Sequence, residues 1–91
     1  MTATPAQIAN DLEAQARFFA KRDDRVARAC RDAARMIRQH LAGEAVDGRT
    51  WGGLHTRLLD LTTLKGRYAD TQIDTSMSRG LRCLYELRAK A

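Results

Sequence analysis

The side chains in this sequence that could do covalent or metal chemistry are few and scattered. His40 and His55 are its only histidines, and Cys30 and Cys83 its only cysteines. A metal centre asks for ligands at short spacings such as CxxC or HxxxH, because neighbouring side chains must converge on one ion. Neither spacing occurs. Nucleophilic catalysis asks for a Ser, Thr or Cys beside a base that a third group orients. Cys30 and Cys83 fall on apolar helical positions, where burial raises the pKa of a thiol and leaves it inert. Asp60, Asp70, Asp74 and Glu86 show no spacing that demands a shared site, and the pair Gly52–Gly53 is not a phosphate loop. No catalytic residue, metal site or cofactor is expected, and the chain is not expected to be an enzyme.

Arginine is the residue type that does form a pattern. Arg28, Arg31, Arg35 and Arg38 recur at helical spacing and fall on one face. The guanidinium fork suits phosphate and carboxylate alike. Residues 21–38 hold seven cations against Asp23, Asp24 and Asp32, a local excess of four in a chain whose formal charge is +5. A concentrated positive face suits an acidic protein surface, nucleic acid or anionic lipid. The plainer alternative is a solvated face in a chain rich in Arg and Ala.

The element that must position this stripe is the segment Lys21–Leu41. Val26, Cys30, Ala33, Ile37 and Leu41 form an apolar stripe opposite the arginines, so one side of the helix faces a core and the other faces water or a partner. Upstream, Thr4 is placed to cap a helix with Pro5 in its first turn, and Ile8, Leu12, Ala16 and Phe19 mark its inner face. Phe18, beside Phe19, points away from that face and is a candidate contact for a partner. Residues 5–41 read either as one helix with a polar interruption at Arg22 and Asp23, or as a hairpin in which Asp23 or Asp24 caps a second helix. The hairpin is preferred because it buries more apolar surface.

Gly43 reads as the residue just past the helix end, and Gly43–Thr50 as a loop with a turn at Asp47–Gly48. Thr50 is expected to cap the next helix, on which Trp51, Leu54, Leu58, Leu61, Leu64 or Lys65, and Tyr68 align. Trp51 reads as the aromatic anchor of the core, and the Trp51–Gly52–Gly53 corner, with Tyr85, as a candidate partner contact. His55 is expected at the core boundary with a hydrogen bond, and His40 in the last turn of its helix. Residues Ala69–Asp74 read as a connection, with Asp74 or Thr75 capping a last helix whose stripe is Met77, Leu81, Leu84 and Leu87 or Arg88.

The stretch Asp74–Leu84, DTSMSRGLRCL, resembles the recognition helix of many bacterial helix-turn-helix regulators, in which a polar first turn of Ser and Thr precedes an Arg and a Leu-rich inner stripe. That resemblance covers about a dozen residues. It implies that Ser76, Ser78, Arg79 and Arg82 would meet phosphates or base edges while Met77, Leu81 and Leu84 pack inward.

Together these signals predict an all-α fold, a small bundle of three to four helices, with residues 1–91 as a single helical domain. One proline and no run of β-branched residues leave no reading as a strand. No apolar run approaches a membrane span, and MTATPAQIAND has neither the basic nor the apolar region of a secretory leader, so a cytoplasmic location with free buried thiols is expected. The functional expectation is a bacterial or phage-type regulatory or interaction protein. Its partner is an acidic protein met by Arg28, Arg31, Arg35, Arg38, Phe18 and Trp51, and self-association as a homodimer is open to it. The alternative is a nucleic-acid-binding regulator that uses the same stripe together with Ser76, Ser78, Arg79 and Arg82.

Overall fold

Thr4 opens the fold with a reciprocal cap. Its hydroxyl accepts from the Gln7 backbone N–H at 3.2 Å, and the Gln7 side chain accepts from the Thr4 N–H at 2.8 Å. Pro5 follows at the first helical position, where its missing N–H costs nothing. The computed structural model describes residues 3–63 and 72–90, with the side chains of 3–60 and 78–89. These form α1 (Pro5–Phe19), α2 (Asp24–Leu41), α3 (Gly48–Thr63) and α4 (Gln72–Lys90). There is no strand among the described residues.

The hairpin reading of residues 5–41 holds. Arg22 and Asp23 N–H groups both return to the Phe19 carbonyl, at 3.0 and 2.9 Å, closing α1. Asp23 is extended (φ −150°, ψ 101°), and its carboxylate accepts from the Arg25 N–H at 3.1 Å, which caps α2. The apolar stripe keeps its phase across this break because the turn is so short. At the other end Gly43 takes φ 78°, which a side chain would resist. Its N–H reaches the His40 carbonyl, and the Glu44 N–H reaches the Gln39 carbonyl, the paired bonds of a Schellman end.

Two helix starts differ from the sequence reading. α3 begins at Gly48, so Thr50 lies inside it. The Asp47 carbonyl already accepts the Trp51 N–H at 3.0 Å, and the Thr50 hydroxyl donates to the Asp47 carboxylate instead of capping. α4 begins at Gln72, so Asp74 and Thr75 sit in its first turn rather than ahead of it. A carboxylate is favoured there by the helix dipole, which makes a first-turn Asp easy to mistake for a cap. Of the expected inner stripes, Leu64, Lys65 and Tyr68 and the side chains of Leu61 and Met77 lie outside the described residues, as do residues 69–71 of the expected connection.

Side-chain contacts tie successive helices together. Arg38 of α2 meets Asn10 and Glu13 of α1, Arg57 of α3 meets Asp32 of α2, and Tyr85 of α4 meets His55 of α3. α2 and α4 touch each other across the middle, with α1 on one side and α3 on the other; α1 and α3 do not meet among the described residues. α2 is therefore contacted from three directions. Its buried arc is wide, and alanines make that width possible: Ala27, Ala29, Ala33 and Ala34 are buried beside Val26, Cys30 and Ile37. Leu12, Leu54, Leu58 and Leu84 complete the centre. Leu41 does not join it. It is the last residue of α2 and is 50% exposed, because the Schellman turn carries the chain away before any helix can cover it. Gly80 is buried where α4 crosses α1, with a Leu12 methyl against it.

Candidate interaction surfaces

Among the described residues, the arginine face of α2 is covered by no helix. Arg28, Arg31, Arg35 and Arg38 are all exposed. Most of them are nevertheless engaged. Arg28 Nε lies 2.8 Å from Asp24 and Arg35 Nη2 lies 3.3 Å from Asp32. Arg38 donates to the Glu13 carboxylate and, at 2.6 Å, to Asn10 Oδ1, so it straps α2 to α1. Asp32 in turn accepts from Arg57 at 2.9 Å and straps α2 to α3. Arg31 alone among the four has no carboxylate partner among the described residues. With Arg35, Arg38 and Gln39 it lines an open depression bordered by Glu13 and Glu44. The face is thus one of alternating charge, with a modest positive surplus. Sequence spacing displays the cations; the carboxylate of Glu13 arrives from another helix, 25 positions away.

Phe18 lies near the end of α1, before the turn into α2, and is 53% exposed. Its ring meets Phe19 edge-on with centroids 4.9 Å apart, and the Arg22 guanidinium lies 4.2 Å above it while donating to the Phe18 carbonyl. One aromatic face is therefore already covered by a cation.

Of the residues read as a recognition helix, Ser78, Arg79 and Arg82 are exposed on α4, and the Ser76 side chain lies outside the described residues. Arg82 lies 3.7 Å from Glu86. Arg79, Arg82, Cys83 and Glu86 form one wall of a groove whose other wall is Ala3, Pro5 and Ile8. The start of α1 thus flanks the face that a recognition helix would lay against a base-pair stack.

The thiols and histidines are kept apart. Cys30 and Cys83 are free and buried, and burial lifts the Cys30 thiol to about 12, with the nearby Asp11 charge adding to the effect. Burial, then Glu86, raises Cys83 as well. Protonated, enclosed thiols are poor nucleophiles. No cluster of three or more metal-ligating side chains exists among the described residues. His40 sits in the last turn of α2, its Nε2 enclosed and without a hydrogen-bond partner among them. No helix among the described residues is long and apolar enough to cross a membrane.

Trp51 is half-buried and packs against the edge of the core rather than at its centre. It is part of a group that sequence spacing does not bring together. On α3, Trp51 and His55 stand one turn apart with ring centroids 5.3 Å apart; on α4, Tyr85 meets both rings nearly at right angles, at 5.5 and 5.3 Å. A hydrogen bond joins Tyr85 Oη to His55 Nε2, across 30 positions of sequence. The Arg88 guanidinium lies over the Trp51 ring, 5.0 Å from its centroid. The signal available in sequence was the one-turn spacing of Trp51 with His55 and the three-residue spacing of Tyr85 with Arg88, which orient each pair but cannot pair the helices.

Comparison with known protein families, with curated proteins and with solved structures finds no match to this chain.

Proposed function

We propose that this chain is a small non-enzymatic interaction protein that docks the arginine face of α2 on an acidic surface of another protein. The observation that carries the reading is the placement of that face: four arginines remain exposed on a side of α2 that no helix covers among the described residues. Nothing in the packing needs them all there. Arg38 and the Asp32–Arg57 pair hold the flanks of the face to α1 and α3, so it is presented as a fixed surface. Phe18, exposed near the end of α1 with Arg22 over its ring, offers an apolar contact of the kind that aromatic and Arg residues make at interface hot spots. A regulatory role of the bacterial or phage type, in a reducing cytoplasm that keeps Cys30 and Cys83 as thiols, accords with this reading.

The alternation of charge favours protein over nucleic acid. A phosphate backbone is uniformly negative and would meet Asp24, Asp32 and Glu13 along with the arginines. A protein surface can match both signs, and such matching gives specificity and faster association. Self-association is the other protein contact this face and Phe18 admit.

The test compares a labelled peptide of Glu–Glu–Lys repeats, net acidic but carrying both signs, with random duplex DNA as probes, by fluorescence anisotropy at low and at physiological salt. The wild type is expected to bind this peptide in a salt-sensitive manner and duplex DNA more weakly. Arg28→Gln/Arg31→Gln/Arg35→Gln, which leaves the Arg38 strap intact, is expected to lose most of that binding. Full affinity in the triple variant would reduce the stripe to a solvated face. Tighter binding to duplex than to the peptide at physiological salt would favour the nucleic-acid reading, and a concentration-dependent mass in sedimentation that the variant abolishes would make the partner a second copy.

A further inference from the structure

On the flank where α3 meets α4, we propose a second recognition site, in which Arg88, Trp51, His55 and Tyr85 bind the carboxylate of an acidic peptide together with the apolar side chain beside it. The site is separate from the α2 face: Arg57, on the other flank of α3, is the residue that reaches α2, whereas His55 reaches α4. The inference therefore stands whether or not the arginine stripe binds a partner.

Three features argue for it. First, Arg88 has no carboxylate partner among the described residues, and its neighbour on α4, Glu86, is engaged with Arg82. This contrasts with the α2 face, where carboxylates of the chain itself occupy most of the guanidinium groups. Second, the Arg88 guanidinium is held over Trp51 at 5.0 Å. Cation–π attraction limits the motion of a guanidinium held over a ring, and its N–H groups can still donate to a planar carboxylate. A preorganised fork of this kind gives the stronger, paired hydrogen bonds of charge-assisted contacts. Third, the rings present an apolar surface next to that charge. Tyr85 is 48% exposed, yet its ring is fixed by edge-on contacts to Trp51 and His55 and its hydroxyl by His55 Nε2. Immobilised aromatic surface binds without the entropy cost of ordering a loose side chain.

The charge balance chooses the occupant. Within this group Arg88 is the single guanidinium, which suits one carboxylate; a phosphate carries more charge and asks for several cations. Peptide rather than free carboxylate follows from the ring surface, which has nothing to bury against a small acid such as acetate.

Trp51 is the sole tryptophan, so its emission reports on this site alone. The experiment titrates the full chain with a capped peptide of alternating Glu and Leu, with its Gln–Leu counterpart and with inorganic phosphate. A saturable change in Trp51 emission is expected with the Glu peptide only. Arg88→Gln should weaken binding by about tenfold, and Arg88→Lys should recover only part of it because the fork is lost. Tyr85→Ala should weaken it several-fold, while the triple Gln variant of Arg28, Arg31 and Arg35 should bind as the wild type does. Far-UV circular dichroism and melting of each variant separate lost binding from lost fold, and Arg88→Lys serves where Arg88→Gln melts early. The proposal is overturned by an equal response to the Gln peptide or to phosphate, by wild-type affinity in a folded Arg88 variant, or by a loss that follows the α2 triple variant instead.

Discussion

Leu12 of α1 lies so close to Gly80 of α4 that a Cβ built on the glycine would sit 2.9 Å from the Leu12 Cδ1. Leu12 has no exposure, so its methyl has nowhere open to move. The absence of a side chain at Gly80 thus sets how near the two helices stand, and it lets α1 and α4 share one core with α2.

That contact separates the glycines of this chain into two kinds. At Gly52 and Gly53 an added Cβ would meet nothing within 4 Å, and both sit in the helical first half of α3. Gly52→Ala and Gly53→Ala are each expected to raise stability by up to about 1 kcal/mol, the usual helix-propensity difference. Gly80→Ala gains the same propensity but overpacks the Leu12 site, which typically costs about 1–3 kcal/mol, so it is expected to be less stable than the wild type. Urea unfolding of the three variants checks the order. A stabilised Gly80→Ala would mean that α1 and α4 can separate at no cost.

The two faces of α2 give a second contrast. Ile37 is fully buried, while Arg35 is exposed and paired only with Asp32 of its own helix. Ile37→Asp places an unpaired charge in the core and should unfold the domain at a cost of several kcal/mol. Arg35→Ala should stay within about 0.5 kcal/mol. Thermal melts of both variants are the measurement, and equal shifts would show that the faces have been assigned the wrong way round.

What sequence reveals and what it hides follow one physical line here. Caps and periodic faces depend on residues a few positions apart, so Thr4 and Gly43 are legible as helix boundaries and the Asp23–Asp24 doublet as the place of a third. The Arg31–Ile37 opposition is likewise a property of a single helix. The strap from Arg38 to Glu13, the pairing of Tyr85 with His55 and the closeness of Gly80 to Leu12 each join two helices, and nothing local encodes them. Trp51 looked like a core anchor because its phase on α3 is apolar. It sits at the edge instead, because Leu54 and Leu58 are the residues α3 turns to the centre and α1 does not reach α3 among the described residues.

The Cys30 thiol makes stability depend on pH in the alkaline range. Its pKa rises from an ordinary 9.0 to about 12 in the folded chain, through burial first and Asp11 second. Below pH 9 the thiol is protonated in both states and contributes no pH dependence. Above it the unfolded chain loses the proton while the folded chain keeps it, so stability falls by up to about 1.4 kcal/mol per pH unit until the folded pKa is passed. Urea midpoints are expected to drop between pH 9 and about 11, with a shallower drop in Cys30→Ala. In the same range native Cys30 should react slowly with a thiol reagent and quickly once urea is added. A slope identical in wild type and variant would assign the alkaline loss to other groups.

Charge alternation on α2 makes a measurable statement about nucleic acid. Four free arginines on duplex DNA would give a salt slope of about 3.6, since each phosphate contact adds about 0.9. Asp24, Asp32 and Glu13 hold Arg28, Arg35 and Arg38, which leaves Arg31 as the uncompensated cation of the four. The wild-type slope is therefore expected to be only about 1. Asp24→Asn/Asp32→Asn frees Arg28 and Arg35 and should raise the slope towards about 2.7, with a matching gain in affinity at low salt. The double variant gives up exposed pairs and the tie between Asp32 and Arg57, so a stability loss of about 1–2 kcal/mol is expected and leaves the fold intact. Anisotropy titrations of a random duplex across a salt series measure both slopes. A wild-type slope already near 3.6, unchanged by the two substitutions, would mean that the carboxylates release their arginines on contact with DNA. The mixed-charge argument for a protein partner would then fail, and the α2 face would be a phosphate-binding surface.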